Sequence, residues 1–354
     1  MGAIVVLGAA GALLAAAHAT TPGKDGLIAF TRYRLQDSPL RSEIFVAKPD
    51  GTGLKRVSHS AKPVEDDQAH WSPDGAWIVF DRCTASGPCS VWLVRPDGSG
   101  QRLLSAGCPS GRLPPVCVDD SNPAFTPDGR HVVFQHEFGK TKHGPLGDSI
   151  ENSQIVRVDL KGRHLTVLRR LGGYRGDLQG PRVSPNGALL LFRLYNSDRA
   201  RPAGGEALFV VGLDGKDLRR VTPWGLAAAG GEWSPNGTHI LFKSTLPSGE
   251  LTPGTSLYTV RADGTGLERL TTVGASHYVL SGSYSPDGKS VVFATDEGAT
   301  ANPHGNTFAD IVRQAHVRHA CGESRRLADV GPSAVAAWLS RPTPSSDIHV
   351  ALLH

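Results

Sequence analysis

Trp71-Ser72-Pro73-Asp74-Gly75 leads into the apolar stretch Trp77 to Phe80, and the same succession returns four more times along the chain. The copies are Phe125-Thr126-Pro127-Asp128-Gly129 before Val132-Val133-Phe134, Val183-Ser184-Pro185-Asn186-Gly187 before Leu190-Leu191-Phe192, Trp233-Ser234-Pro235-Asn236-Gly237 before Ile240-Leu241-Phe242, and Tyr284-Ser285-Pro286-Asp287-Gly288 before Val291-Val292-Phe293. Proline presets φ at the second position of a turn, Asp or Asn tolerates the third and bonds to local backbone, and glycine supplies the positive φ that returns the chain into a hairpin. Each copy therefore predicts a strand end, a tight turn and an apolar strand running back.

The five prolines fall 50 to 58 residues apart, the period of an architecture built from one small antiparallel sheet per repeat. A second motif lies between them: Glu43-Ile44-Phe45-Val46 with Pro49-Asp50-Gly51, Val91-Trp92-Leu93-Val94 with Pro96-Asp97-Gly98, Ile155-Val156-Arg157-Val158 with Lys161-Gly162, Leu208-Phe209-Val210-Val211 with Asp214-Gly215, and Leu257-Tyr258-Thr259-Val260 with Asp263-Gly264. Ile311 to Leu327 reads as a degraded sixth copy. One unit is thus four strands: an aromatic-ended strand, a Val-Phe strand, an Ile-Tyr-Val-like strand and a short last strand. The fold class expected is all-β, a six-bladed β-propeller of four-stranded antiparallel blades, closed across the termini. Gly26 to Phe30 has no turn before it, so the first unit lacks its opening strand, and Ala334 to Leu339 would supply it. Asp347 to Leu352 then reads as one strand more than this division needs.

At these residues, from about Gly26 to Ala337, the chain resembles the TolB-type propeller repeats, a WD-like family marked by an aromatic residue, Ser-Pro-Asp-Gly and an apolar strand. The resemblance implies the fold, which hosts several functions. TolB has a separate domain before its propeller, and prolyl peptidases append a hydrolase domain to theirs. The organisation expected here is a leader over 1–19 and a propeller over 20–354.

Ile4 to Ala17 is apolar and short for a membrane span, and Ala17-His18-Ala19 offers the small-x-small pattern of leader cleavage. The reading is export to the periplasm, the cell envelope or the medium, with membrane attachment only if the leader stays uncleaved. Cysteines fit that compartment: Cys83 with Cys89, and Cys108 with Cys117, bracket short loops and are expected as local disulfides, leaving Cys321 over. The formal charge is +4 from 37 basic and 33 acidic residues, and no basic stripe interleaves with aromatics, which argues against nucleic acid as a partner.

Strand order puts the tight turns on one face of the disc and the long insertions, including His136 to Ser153 and Asn196 to Glu206, on the other. Segments entering the first strands carry Asp66, Asp67, His70, Asp120, Asp177, Glu232 and His277, a candidate ligand-binding set at the central channel. Carboxylates with two imidazoles could hold a divalent cation such as calcium, or a cationic group of a ligand. The alternative is that acids solvate and cap turns at a wet channel mouth. His136-Glu137 with His143 could add a polar site, and Gly147-Asp148-Ser149-Ile150 resembles an esterase nucleophile block but lacks the α/β surroundings. No metalloprotease helix, phosphate loop or serine elbow occurs, so no catalytic residue is assigned. The function expected is a monomeric binding or scaffolding module for a protein or peptide of the cell envelope, engaged by the long-loop face. The alternative is a metal-dependent lyase or hydrolase acting on envelope or extracellular polysaccharide through the channel.

Overall fold

A computed structural model describes residues 26–34, 41–49, 51–84, 87–105, 119–144, 147–173, 175–196, 205–244, 256–271, 277–297 and 349–351. Among these the regular structure is strand, apart from one 3-10 turn at Trp224–Leu226. The strands fall into antiparallel groups in chain order. The first holds β1 (Ile28–Arg34), β2 (Arg41–Ala47) and β3 (Lys55–Arg56), and the second β4 (Val64–Trp71), β5 (Ile78–Thr84), β6 (Gly87–Val94) and β7 (Arg102–Ser105). A single parallel bridge, Ser42 to Glu65, joins these two groups into one seven-stranded sheet. Four-stranded sheets follow: β8 (Asp119–Phe125), β9 (His131–Gly144), β10 (Gly147–Asp159) and β11 (Thr166–Gly172); then β12 (Gly176–Val183), β13 (Leu189–Asn196), β14 (Glu206–Gly212) and β15 (Arg219–Arg220); then β16 (Ala228–Trp233), β17 (His239–Ser244), β18 (Ser256–Arg261) and β19 (Glu268–Arg269). The last sheet is β20 (His277–Tyr284), β21 (Val291–Glu297) and β22 (His349–Ala351).

The Ser-Pro-Asp-Gly copies form the turns between first and second strands. Gly75 N–H donates to the Ser72 carbonyl at 2.9 Å, and Gly75 has φ of 69°, which a residue with a Cβ rarely adopts. Serine is the hub. Its hydroxyl donates to Asp74 Oδ1 at 2.6 Å and accepts from Trp77 N–H at 2.8 Å, while Asp74 Oδ1 accepts from Ala76 N–H at 3.0 Å. Thr126, Ser184, Ser234 and Ser285 repeat this arrangement with Asp128, Asn186, Asn236 and Asp287. Asn236 Oδ1 also accepts from the Thr238 hydroxyl at 2.7 Å.

Burial on both faces of the second and third strands explains their unbroken apolar runs, since each sheet is covered by neighbours on two sides. The first strand of one sheet packs on the second and third strands of the sheet before it: β8 on β5 and β6, β12 on β9 and β10, β16 on β13 and β14, and β20 on β17 and β18. Phe125 accordingly sits among Val79, Val91 and Leu93, and Trp233 among Leu191, Leu208 and Val210. Withdrawing one such side chain from water contributes about 1.5–3 kcal/mol, so the core lies between sheets.

The strand expected to be surplus has a place. Val350 pairs with Val292 and His349 with Phe293, which makes β22 the third strand of the last sheet. Residues 311–327 and 334–339, expected as the last hairpin and the closing strand, lie outside the described residues. A disulfide links Cys83 to Cys89 across the β5–β6 connection. Cys108, Cys117 and Cys321 lie outside the described residues.

Candidate functional site

Each first strand is broken by a bulge at the same point. The register slips between Asp67 and His70 in β4, Ser121 and Ala124 in β8, Gln179 and Arg182 in β12, Ala229 and Glu232 in β16, and Val279 and Ser281 in β20. In four of them the bulged residue has positive φ: Gln68 at 54°, Asn122 at 53°, Gly180 at 56° and Gly230 at 65°. A bulge re-aims the flanking side chains and exposes backbone donors. One of those donors, Asn122 N–H, meets the residue that follows the Phe of a second strand, a position held along the chain by Thr31, Asp81, Gln135, Arg193, Lys243 and Ala294. Thr31 Oγ1 donates to Asp67 Oδ1 at 2.6 Å, Asn122 N–H donates to Asp81 Oδ2 at 2.8 Å, and Asn122 Nδ2 donates to Gln135 Oε1 at 3.1 Å.

Charge around this level is segregated. Asp66, Asp67, Asp81 and Asp119 lie near one another, and Glu137 lies near Asp119 and Asp177. Burial, reinforced by Asp67, pushes the Asp81 carboxyl well above the usual range. Burial also raises Asp119, although Cys89 N–H donates to its Oδ1 at 2.8 Å. Glu137 is pushed up to about 7 by burial, with Asp177 adding repulsion. Arg182, Arg193 and Lys243 supply the cations on later strands. Burial lowers the Lys243 ammonium, Arg193 lowers it further, and Glu206 and Asp67 oppose this. That Asp67 of β4 acts on Lys243 of β17 shows that strands of non-adjacent sheets face a common space.

The expected ligand residues meet different fates. Asp66 is closed off by Arg82, whose Nε and guanidinium NH2 donate at 2.6 and 2.8 Å, with Arg82 stacked 4.6 Å from the Trp92 ring centre. Asp120 holds the equivalent register position and meets His136 Nδ1 at 2.6 Å. The Ser105 hydroxyl donates to the other oxygen of Asp120. Ser105, Asp120 and His136 are thus linked in an order in which the serine donates to the carboxylate and not to the imidazole, so the histidine cannot act as its base. Glu232 is bridged by Arg182 Nε at 2.6 Å, and burial still raises its carboxyl. His70 Nδ1 faces Phe125 N–H at 3.4 Å, and burial with Arg182 nearby pushes the ring down to about 3, so it is a neutral acceptor. Asp67 also takes the Gln68 N–H at 2.8 Å, Asp177 stands opposite Tyr195, and His277 begins β20 opposite Glu297. Among the described residues no group of three or more His, Cys, Asp or Glu could hold a metal ion.

Asp81, Arg193 and Lys243 were not singled out in the sequence. Their signal was present: each follows the Phe of its Val-Phe strand, and that position is polar in Thr31, Asp81, Gln135, Arg193 and Lys243. A run of apolar residues ending in a charge reads as a strand end until neighbouring repeats are superposed.

No protein-family model matches the chain, and no curated protein does. Solved structures do. TolB from Acinetobacter baumannii is 21% identical, with a TM-score of 0.56, over 78% of this chain and 60% of that one. The hydrazine synthase of Kuenenia stuttgartiensis gives 0.57 at 14% identity over 78% of this chain and 42% of that one. A puromycin hydrolase gives 0.50 at 16% identity over 80% of this chain and 44% of that one. The chain spans 60% of the length of that TolB and less than half of the other two. Repeated antiparallel sheets packed face to face, first strands turned towards a common space and these likenesses agree: the chain has a TolB-like β-propeller fold.

Proposed function

We propose that the chain is an exported, six-bladed propeller that binds a protein or peptide partner at the face where its second and third strands are connected. The observation that carries this reading is the β9–β10 hairpin. Its strands are 14 and 13 residues long, against 6 to 8 for the second strands β13 and β17 of the next two sheets. β8 pairs with β9 as far as Glu137, and β11 pairs with β10 from Asn152. Beyond those points Thr141 to Gly144 and Gly147 to Ile150 pair with each other, and among the described residues no third strand flanks them. A two-stranded ribbon is marginal by itself, and its open backbone edges are templates on which an extended segment can add a strand. The Cys83–Cys89 disulfide supports an oxidising compartment.

The test is selection of a random peptide display library on the immobilised protein, followed by binding of the selected peptides to a variant in which residues 139–150 are replaced by a two-residue Asn-Gly turn. The expected result is loss of peptide binding with an unchanged melting temperature. Equal binding to both proteins, or no selected peptide at all, overturns the reading.

A further inference from the structure

Arg193 and Lys243 occupy one rung in successive sheets, directly after the buried Phe192 and Phe242 of β13 and β17. The same rung in earlier sheets has a built-in partner, since Thr31 bonds to Asp67 and Asp81 takes the N–H of Asn122. In the later sheets it does not close in this way. Arg193 bridges Glu206 through its NH2 group, while its Nε is buried and has no hydrogen-bond acceptor among the described residues. A buried guanidinium N–H without an acceptor is destabilising until a ligand supplies one. Lys243 stands close enough to Arg193 to be repelled by it and is itself largely desolvated. Glu206 and Asp67 both face these two cations, so what the pair leaves open in this half-buried place is a donor, the Arg193 Nε–H.

We propose that Arg193 and Lys243 form a carboxylate-binding site on the wall of the propeller channel. The spare Nε–H of Arg193 and the ammonium of Lys243 are donors of the kind that charge-assisted bonds to a carboxylate require. A singly charged carboxylate can take this donor while adding a single negative charge. A phosphate dianion would add a second one facing Asp67, whose field already reaches Lys243, and the neighbouring Asp81. The same acidic wall favours a ligand whose carboxylate is accompanied by a cationic group. Assigning that carboxylate to a peptide rests on the partner reading above, whereas the site itself does not. A peptide offers two sources, an Asp or Glu side chain and the free chain terminus.

The experiment uses small probes and needs no known partner. Saturation-transfer NMR is recorded on the full chain with acetyl-aspartate amide, acetyl-alanine, acetyl-asparagine amide and inorganic phosphate, and repeated with Lys243→Met and Arg193→Met. Transfer to one or both carboxylates, none to the asparagine control, and binding weakened roughly tenfold or more in Lys243→Met supports the site, and the stronger carboxylate identifies the source. Lys243→Met removes a desolvated cation and is expected to fold at least as stably as the parent, which keeps the outcome readable if Arg193→Met unfolds by stranding Glu206. No transfer to either carboxylate, transfer undiminished in Lys243→Met, or tighter binding of phosphate overturns the proposal. The variant lacking residues 139–150 is expected to keep the signal, so loss of peptide capture there leaves this site standing.

Discussion

Glu137 lies beside Asp119 and Asp177 with its carboxyl pushed up to about 7, chiefly by burial. An acid whose folded pKa lies above its unfolded value near 4.5 favours the folded state while it stays protonated. Its contribution is therefore fully present below about pH 4.5 and is lost as pH rises through about 7. Replacing Glu137 by Gln keeps a neutral amide able to accept from Gln135, which donates to Glu137 at 2.7 Å. Glu137→Gln is expected to stabilise the protein by about 1–3 kcal/mol at pH 8 and to leave it nearly unchanged at pH 4.5. Urea denaturation at both values checks this, and equal effects at the two would show that Glu137 titrates normally. His70 works in the opposite direction: its folded pKa of about 3 lies below the ordinary imidazole value of 6.5, so stability falls as pH drops through that window.

At the scale of the element, the turn between first and second strands is held by its serine as much as by its proline and glycine. Ser184 is buried, donates to Asn186 at 2.7 Å and accepts from Leu189 N–H at 2.9 Å. Ser184→Ala removes both bonds and takes the acceptor from Leu189 N–H, while Asn186 keeps its bond from Ala188 N–H, and is expected to cost about 1–2 kcal/mol in urea denaturation. Thr in the same position is expected to be nearly neutral, because Thr126 makes the equivalent bonds. Turns also stack from sheet to sheet. A Cβ added at Gly129, Gly237 or Gly288 would meet the ring of Pro73, Pro185 or Pro235 within 3.4 to 3.6 Å. Pro and Gly were legible in the sequence as local turn chemistry, but their contact across repeats depends on how sheets are superposed.

For the whole molecule, β22 is the test of how the last sheet is completed. It lies 52 residues beyond the end of β21 at Glu297 yet provides that strand's second partner, with Val350 opposite Val292. Val350→Pro removes the ladder N–H and uncovers the edge of β21. The expected outcome is a lower melting temperature with earlier aggregation on heating. A melting curve identical to the parent's would show that β22 does not hold that position. Such a long-range pairing is not readable from periodicity, because three residues, His-Val-Ala, carry no register of their own.

The sequence determined the repeats, the turns and the apolar strands, because proline, glycine and Asp or Asn act on backbone conformation over a few positions. It also marked the aromatic strand ends, and in the structure Phe125 and Trp233 fill sheet-to-sheet contacts. Tertiary structure alone decided which charges meet. Asp66 is matched by Arg82 and Glu232 by Arg182, 16 and 50 residues apart. Arg193 and Lys243, also 50 residues apart, share a rung with Glu206 between them. Ion pairing depends on distance in space and on local burial, and neither is set by position along the chain.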